Sequence, residues 1–348
     1  MSSVKISGLL EKLMRRENLS MRESADAMSA IMSGAATPAE IAALLMGLTM
    51  KGERPMELVG LATTMRANAV KLSKNFTDVF DTCGTGGDRC GTFNISSAAA
   101  LVAAAAGLRV AKHGNRSVSS KCGSADVYEA LGVDVAAAPS VVEQSLATVG
   151  IAFFFAPTFH PSMKHATPVR RELGVRTAFN LLGPLTNPAG TRTQLVGVPQ
   201  SELTDLMARA LLLLGAERAW VVHGADGIDE MSTTGYTKVS ECRHGAVKTF
   251  YVHPSDFGLP KAATKDLQGG DAATNAAIVR EVLGGAKGPR RDVVLLNSGA
   301  SLFIGGKAAS VREGIQRAAD AIDSGAATRT LNAMAAASRP QATAGKTS

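Results

Sequence analysis

Aromatic residues are scarce in this chain: Phe, Tyr and Trp together make up 4% of its 348 residues, with a single Trp. A core without large rings must be filled by Ala, Leu, Val and Met, within a hydrophobic content of 45%. Such a core favours helices packed closely on helices or on a parallel sheet. Cysteine is sparse as well. Cys83, Cys90, Cys122 and Cys242 form no C-x-x-C pair and have no zinc-like spacing with His, which argues against a metal cluster. Three of them fall in or beside glycine-rich loops, and free thiols suit a reducing cytoplasm. No apolar run reaches the roughly 18 residues that would span a bilayer. The first residues lack the apolar core and cleavage site of a signal peptide, so the expectation is a soluble, cytoplasmic protein. Acidic residues are in modest deficit, 30 against 37 Lys and Arg, for a net charge of +7. That balance fits a polyanionic small molecule as well as nucleic acid and does not choose between them.

The length allows two domains or one elaborated domain. Residues 1–74 read as helices only. Ile6, Leu9, Leu10, Leu13 and Met14 follow the spacing of one buried helical face. Ser20 with Glu23, and Thr37-Pro38 with Glu40, are capping-box starts. The stretch Ile41–Met50 is apolar nearly all round and demands cover on more than one side, which points to a dimer contact in this domain. From residue 75 strands alternate with helices: Val79-Phe80, a helix over Ser96–Ala106, Arg109–Ala111, a helix over Val141–Val149, and Ile151–Phe155. The alternation resumes at Leu195-Val196, a helix over 201–214, Trp220–Val222, a strand over 247–252 and two further helical segments to about Met334. The expected fold is α/β: a small all-helical N-terminal domain and a larger domain whose mostly parallel central sheet is flanked by helices. The larger domain comprises 75–166 and 193–337, and the segment 167–192 returns to the helical domain. The tail, 338–348 and the low-bulk residues from Ala335 onward, reads as disordered.

The chemistry concentrates between Asp81 and Asp126. Gly84-Thr85-Gly86-Gly87-Asp88 follows a strand, yet it fits neither the dinucleotide fingerprint nor the G-K-[ST] ending of a triphosphate loop. Thr92, Asn94, Ser96 and Ser97 open the next helix with more polar groups than one N-cap requires. A second loop, Lys112-His113-Gly114-Asn115-Arg116-Ser117-Val118-Ser119-Ser120, supplies cations, amides and hydroxyls directly after another strand, and Ser124 can cap the helix that follows. His113 is either a base or a shaper of the loop. Two such loops suggest a ligand with phosphates at both ends. Further along, Val221-Val222 runs into a turn that carries Asp229 and Glu230. Neighbouring carboxylates repel unless a cation sits between them, and beside phosphate that cation is Mg²⁺. Pro168–Gly174 adds Arg170 and Arg171, one of which can grip a carboxylate with paired hydrogen bonds.

Taken together, G-T-G-G-D with T-F-N-I-S-S, K-H-G-N-R-S-V-S-S-K, H-P-S-M-K-H, V-R-R-E-L-G-V-R-T with F-N-L-L-G-P-L-T-N-P, and D-G-I-D-E with S-T-T-G resemble the anthranilate phosphoribosyltransferase family over nearly the whole chain. The resemblance implies a pentosyltransferase that moves 5-phosphoribose from 5-phosphoribosyl diphosphate (PRPP) to anthranilate, in the second step of L-tryptophan synthesis from chorismate. It implies that Gly84, Gly87, Asp88, Thr92, Asn94, Ile95, Ser96, Ser97, Lys112 to Ser120 and Ser124 hold PRPP. Gly84, Asn115 and Arg170 would meet anthranilate, with His160 and Phe159 as further candidates for its entrance. Ser96, Asp229 and Glu230 would hold one or two Mg²⁺ ions per subunit. It implies a homodimer formed through the helical domain, no nucleic-acid or membrane partner, and no dedicated acid or base. Two other activities sit near this pattern: a pyrimidine nucleoside phosphorylase, which has no diphosphate-bound Mg²⁺ to hold, and a nucleic-acid-binding relative, which would have lost the carboxylates or the glycine loop.

Overall fold

The computed structural model describes residues 6–117 and 121–339. Its first body is four helices, α1 (Ile6–Met14), α2 (Met21–Met32), α3 (Pro38–Lys51) and α4 (Pro55–Ala67). Both capping boxes form: Glu23 N donates to Ser20 Oγ at 3.2 Å, and Glu40 N donates to Thr37 Oγ1 at 3.3 Å. Each satisfies a backbone N–H that the first helical turn leaves without a partner. Ile6, Leu9 and Leu13 of α1 are buried, but Met14 turns outward and is 84% exposed. The outer edge of α3 behaves alike, since Ile41, Leu44, Leu45 and Leu48 are buried while Met50 is 76% exposed.

The second body is built on β1 (Val79–Gly84), α5 (Ile95–Ala105), β2 (Arg109–Gly114), α6 (Ser124–Ala130), α7 (Pro139–Thr148) and β3 (Ile151–Phe155). The chain then leaves the sheet through α8 (Ala156–Phe159), α9 (Thr167–Leu173) and α10 (Ala178–Leu182). Val169, Phe179, Leu181 and Leu182 of this excursion join the same buried cluster as Ile31, Leu44 and Leu58 of the helical body. The sheet resumes with β4 (Thr193–Gly197), α11 (Leu203–Leu213), β5 (Arg218–Gly224), β6 (Thr237–Arg243) and β7 (Ala246–Val252). Four helices follow among the described residues: α12 (Ala272–Leu283), α13 (Pro289–Ile304), α14 (Val311–Asp323) and α15 (Ala326–Ala337).

The strand order is β3-β2-β1-β4-β5-β6-β7, parallel through β5 and antiparallel for the last two pairs. Eight of the eleven residues of α5 are alanine or serine, and Ala98–Ala103 are fully buried between the sheet and α13, which explains how so few aromatics suffice. Three expectations need correction. β6 was not anticipated, although its hairpin turns at His244-Gly245, both with positive φ. Four closing helices replace the two expected. α15 extends through Ala335–Ala337, because alanines without bulk are still good helix formers. Ser338 ends that helix and its Oγ accepts from Asp134 N at 2.8 Å, while 340–348 lie outside the described residues.

Candidate active site

The strand order reverses at β1. From there the chain builds β2 and β3 on one side, then returns to place β4 on the other. Parallel sheets bind ligands at such a switch point, beyond the carboxyl ends of the strands. Here the two ends are Gly84 and Gly197, paired in register. A Cβ on Gly197 would lie 1.6 Å from the Asp229 carbonyl oxygen, and one on Gly84 would lie 2.6 Å from Asp229 Oδ2. Bare backbone at both positions is what lets the acidic turn after β5 fold over the strand ends. Gly86 N then donates to Asp229 Oδ2 at 3.1 Å, and Ser96 N, in the first turn of α5, donates to Glu230 Oε1 at 3.0 Å. Both carboxyls are held well above their ordinary pKa. For Asp229 the chief cause is enclosure, followed by the charge of Asp88; for Glu230 it is enclosure, followed by Asp229. Buried Lys112 works against this for Glu230 while its Nζ donates to the Thr82 carbonyl at 2.5 Å.

Asp126 on α6 shapes the second loop: its Oδ2 accepts from Ser117 N at 3.1 Å and from Gly123 N at 2.8 Å. Gly123, not Ser124, is the N-cap; Ser124 is the first helical residue and its Oγ donates to the Asn115 carbonyl at 3.3 Å. Arg116 is drawn outward into ion pairs with Asp126 and Glu129. The two loops are tied together by Asn94, whose Nδ2 donates to the Cys122 carbonyl at 3.2 Å. Its Oδ1 accepts from Asn275 Nδ2 at 2.8 Å.

The opposite end of the cleft is built differently. His113 and His160 pack with ring centroids 5.4 Å apart. Burial pushes the His113 pKa down to about 3 and that of His160 to about 4, so both rings are neutral at pH 7. His113 Nδ1 lies 3.0 Å from the Gly183 carbonyl, a pairing in which a neutral ring donates from Nδ1. Arg170 is half-buried over the Phe179 ring at 5.2 Å and has no ion pair among the described residues, whereas Arg171 and Glu172 are exposed. The inward arginine is thus Arg170.

One cleft of about 1070 Å³ is lined by Gly84, Gly87, Asp88, Thr92, Asn94 to Ser97, Lys112 to Ser117, Ser124, His160, Arg170, Asp229 and Glu230. Val118, Ser119 and Ser120 lie outside the described residues. Phe159 is not part of the wall; it is fully buried against Phe154, ring centroids 4.9 Å apart. The cleft also contains residues that sequence reasoning passed over: Arg176, and the strap Gln268–Gly270 with Asn275. The strap had a signal in its Gly269-Gly270-Asp271 turn, while Arg176 stood inside a quoted motif without a role.

Residues 76–328 match the a/b domain of the glycosyl transferase family and residues 7–69 match its helical bundle domain. Anthranilate phosphoribosyltransferase from Acetivibrio thermocellus is 52% identical, over 93% of this chain and 94% of its own length. The solved structure of anthranilate phosphoribosyltransferase from Thermus thermophilus superposes with a TM-score of 0.90 at 44% identity, covering 95% of this chain and 99% of the other. The Saccharomyces cerevisiae enzyme in complex with PRPP and Mg gives a TM-score of 0.88 at 28% identity, over 97% and 98% of the two chains. The same yeast enzyme has also been solved in complex with 4-fluoroanthranilate. With both domains matched in order and half the residues shared over nearly the full length, this chain belongs to the anthranilate phosphoribosyltransferase family.

Proposed function

We propose that the chain transfers 5-phosphoribose from PRPP to the amine of anthranilate, giving N-(5-phosphoribosyl)anthranilate and diphosphate, the second step of L-tryptophan synthesis from chorismate. The observation that carries this reading is the meeting, in one cleft, of the glycine loop, the Asp229–Glu230 pair and a half-buried arginine that has no ion pair among the described residues. A ligand reaching from phosphate through ribose to an aromatic acid finds a matching group at each point. Gly84, Gly87, Asp88, Thr92, Asn94 to Ser97, Lys112 to Ser120 and Ser124 hold PRPP, and Gly84, Asn115 and Arg170 meet anthranilate.

The carboxylate end fits Mg²⁺. Asp88 Oδ2 is enclosed without a hydrogen-bond partner, and Asp229 and Glu230 are crowded by like charge. Among the described residues no three His, Cys, Asp or Glu side chains form a cage, which suits an ion that completes its shell with phosphate oxygens and water. Ser96, Asp229 and Glu230 hold one or two such ions, which when bound neutralise charge on the leaving diphosphate. Gly86 N in the glycine loop and Ser96 N at the start of α5 hold the Asp229 and Glu230 carboxyls in place for these ions. Arg170 clamps the anthranilate carboxylate with paired hydrogen bonds while Phe179 backs the guanidinium. An aromatic amine already carries a free lone pair at neutral pH, so attack on the ribose carbon needs no strong base, and orientation supplies much of the rate.

The protein acts as a homodimer through its helical body, a reading supported by Met14 and Met50, which are exposed on the packed helices α1 and α3. It works in the cytoplasm, where free thiols such as its four cysteines persist. Loss of anthranilate fluorescence on mixing protein, PRPP and Mg²⁺ tests the reaction; fluorescence that persists with folded protein overturns it.

A further inference from the structure

Gly86 and Gly87 both have positive φ, +64° and +82°, so the tip of the first glycine loop is backbone of the most permissive kind. Such a loop must be fixed from outside if its amides are to meet an anion without a large ordering cost. In this structure Gly86 is held on both sides. Its N–H donates to Asp229 Oδ2 at 3.1 Å, and its carbonyl accepts from Arg176 Nη1, while Arg176 Nη2 donates to Thr85 Oγ1 at 3.3 Å. Arg176 lies between α9 and α10, in the excursion that packs on α3 and α4 of the helical body. The contact therefore crosses from one body to the other. Gly87 is shaped to admit it, since a Cβ there would stand 1.9 Å from Arg176 Nη1. Half-buried Arg176 makes no ion pair among the described residues, although the charges of Asp229 and Asp88 reach it. A guanidinium has five donors, and this one spends two on the loop.

We propose that Arg176 is a positioning residue for the diphosphate half of the site, clamping Thr85–Gly87 in the shape that receives the leaving group. The proposal rests on the PRPP reading above. Its contribution is made before chemistry, through the loop, and it is confined to one substrate.

The test uses the full-length protein with Mg²⁺ throughout. PRPP binding is measured by calorimetry for wild type, Arg176→Ala and Arg176→Lys, with steady-state KM values for both substrates and melting temperatures alongside. Arg176→Ala is expected to weaken PRPP binding about tenfold while the anthranilate KM stays within about twofold, as loss of preorganisation at one end requires. Arg176→Lys keeps the charge but not the fork, so it recovers only part of the loss. Equal rises in both KM values, or a lowered melting temperature with unchanged PRPP affinity, show a merely structural clamp and overturn the proposal. Full recovery by lysine overturns it too, because charge alone would then suffice. If wild type fails to bind PRPP, the functional reading itself falls and the clamp with it; if wild type binds and the alanine variant binds equally well, only the clamp falls.

Discussion

The two ends of the cleft bury ionisable groups in opposite ways. Around the first glycine loop and the turn after β5, Asp88, Asp229 and Glu230 crowd acidic groups together, and the pKa values of the last two rise. At the other end, His113 and His160 are buried as a neutral pair, and Arg170 is left as a half-buried cation. Enclosure disfavours charge at both ends. The difference lies in what each side favours: crowded carboxyls that a divalent cation would draw into their charged form on one, a guanidinium that a carboxylate would pair with on the other. On the proposed reading, Mg²⁺-bound PRPP would meet the acidic side and the anthranilate carboxylate would meet Arg170.

The largest effect is expected from removing the acidic side of this contrast. Asp229→Ala with Glu230→Ala should lower kcat/KM by roughly 10² to 10³, the size typical of losing charge stabilisation at a leaving group, and should flatten the dependence on Mg²⁺. A double variant whose Mg²⁺ titration matches wild type would break the comparison at that end. Next in size is Arg170→Ala. Loss of a paired, charge-assisted contact of about 1.5–3 kcal/mol should raise the anthranilate KM by roughly 10- to 100-fold and leave that of PRPP nearly unchanged. If the PRPP KM rises more, Arg170 belongs to the phosphate end.

Much of this arrangement was legible from the sequence, for a physical reason. Anion loops announce themselves through glycines, hydroxyls and helix starts that are contiguous in the chain, and Asp229-Glu230 announce themselves through adjacency. What was not legible depends on approach between distant segments. Gly197 is one glycine among 35 until the Asp229 carbonyl is seen to need its missing side chain. Arg176 and Arg170 stand six residues apart in one motif, and only packing shows that one reaches the glycine loop while the other lies on Phe179. Asn275 joins Asn94 across 181 positions. Met14 shows the converse failure: helical spacing put it on the buried face, but it is the last residue of α1 and is exposed, while Ile6, Leu9 and Leu13 are buried. β6 was missed because its strand is half polar, and its signal was the turn rather than the run.

The smallest expected effect sharpens the neutral end. His113 and His160 have pKa values of about 3 and about 4 in the fold, against an ordinary 6.5. Below about pH 6.5 the unfolded chain takes up protons at these positions while the folded chain does not, so unfolding is favoured as pH falls. The stability they contribute is complete above pH 6.5 and drains towards the folded values near 3 and 4, at up to about 1.4 kcal/mol per pH unit for each ring. Asp229 and Glu230 act in the opposite sense, since groups held above their ordinary pKa steady the fold as they gain protons. The histidine effect is therefore read as a difference between proteins. From pH 7.5 to 5.5 the melting temperature of His160→Gln should fall by a few degrees less than that of wild type, even if the variant starts lower. Parallel curves would mean that His160 takes up its proton as readily in the fold as in the unfolded chain, and burial would then not be holding that ring neutral.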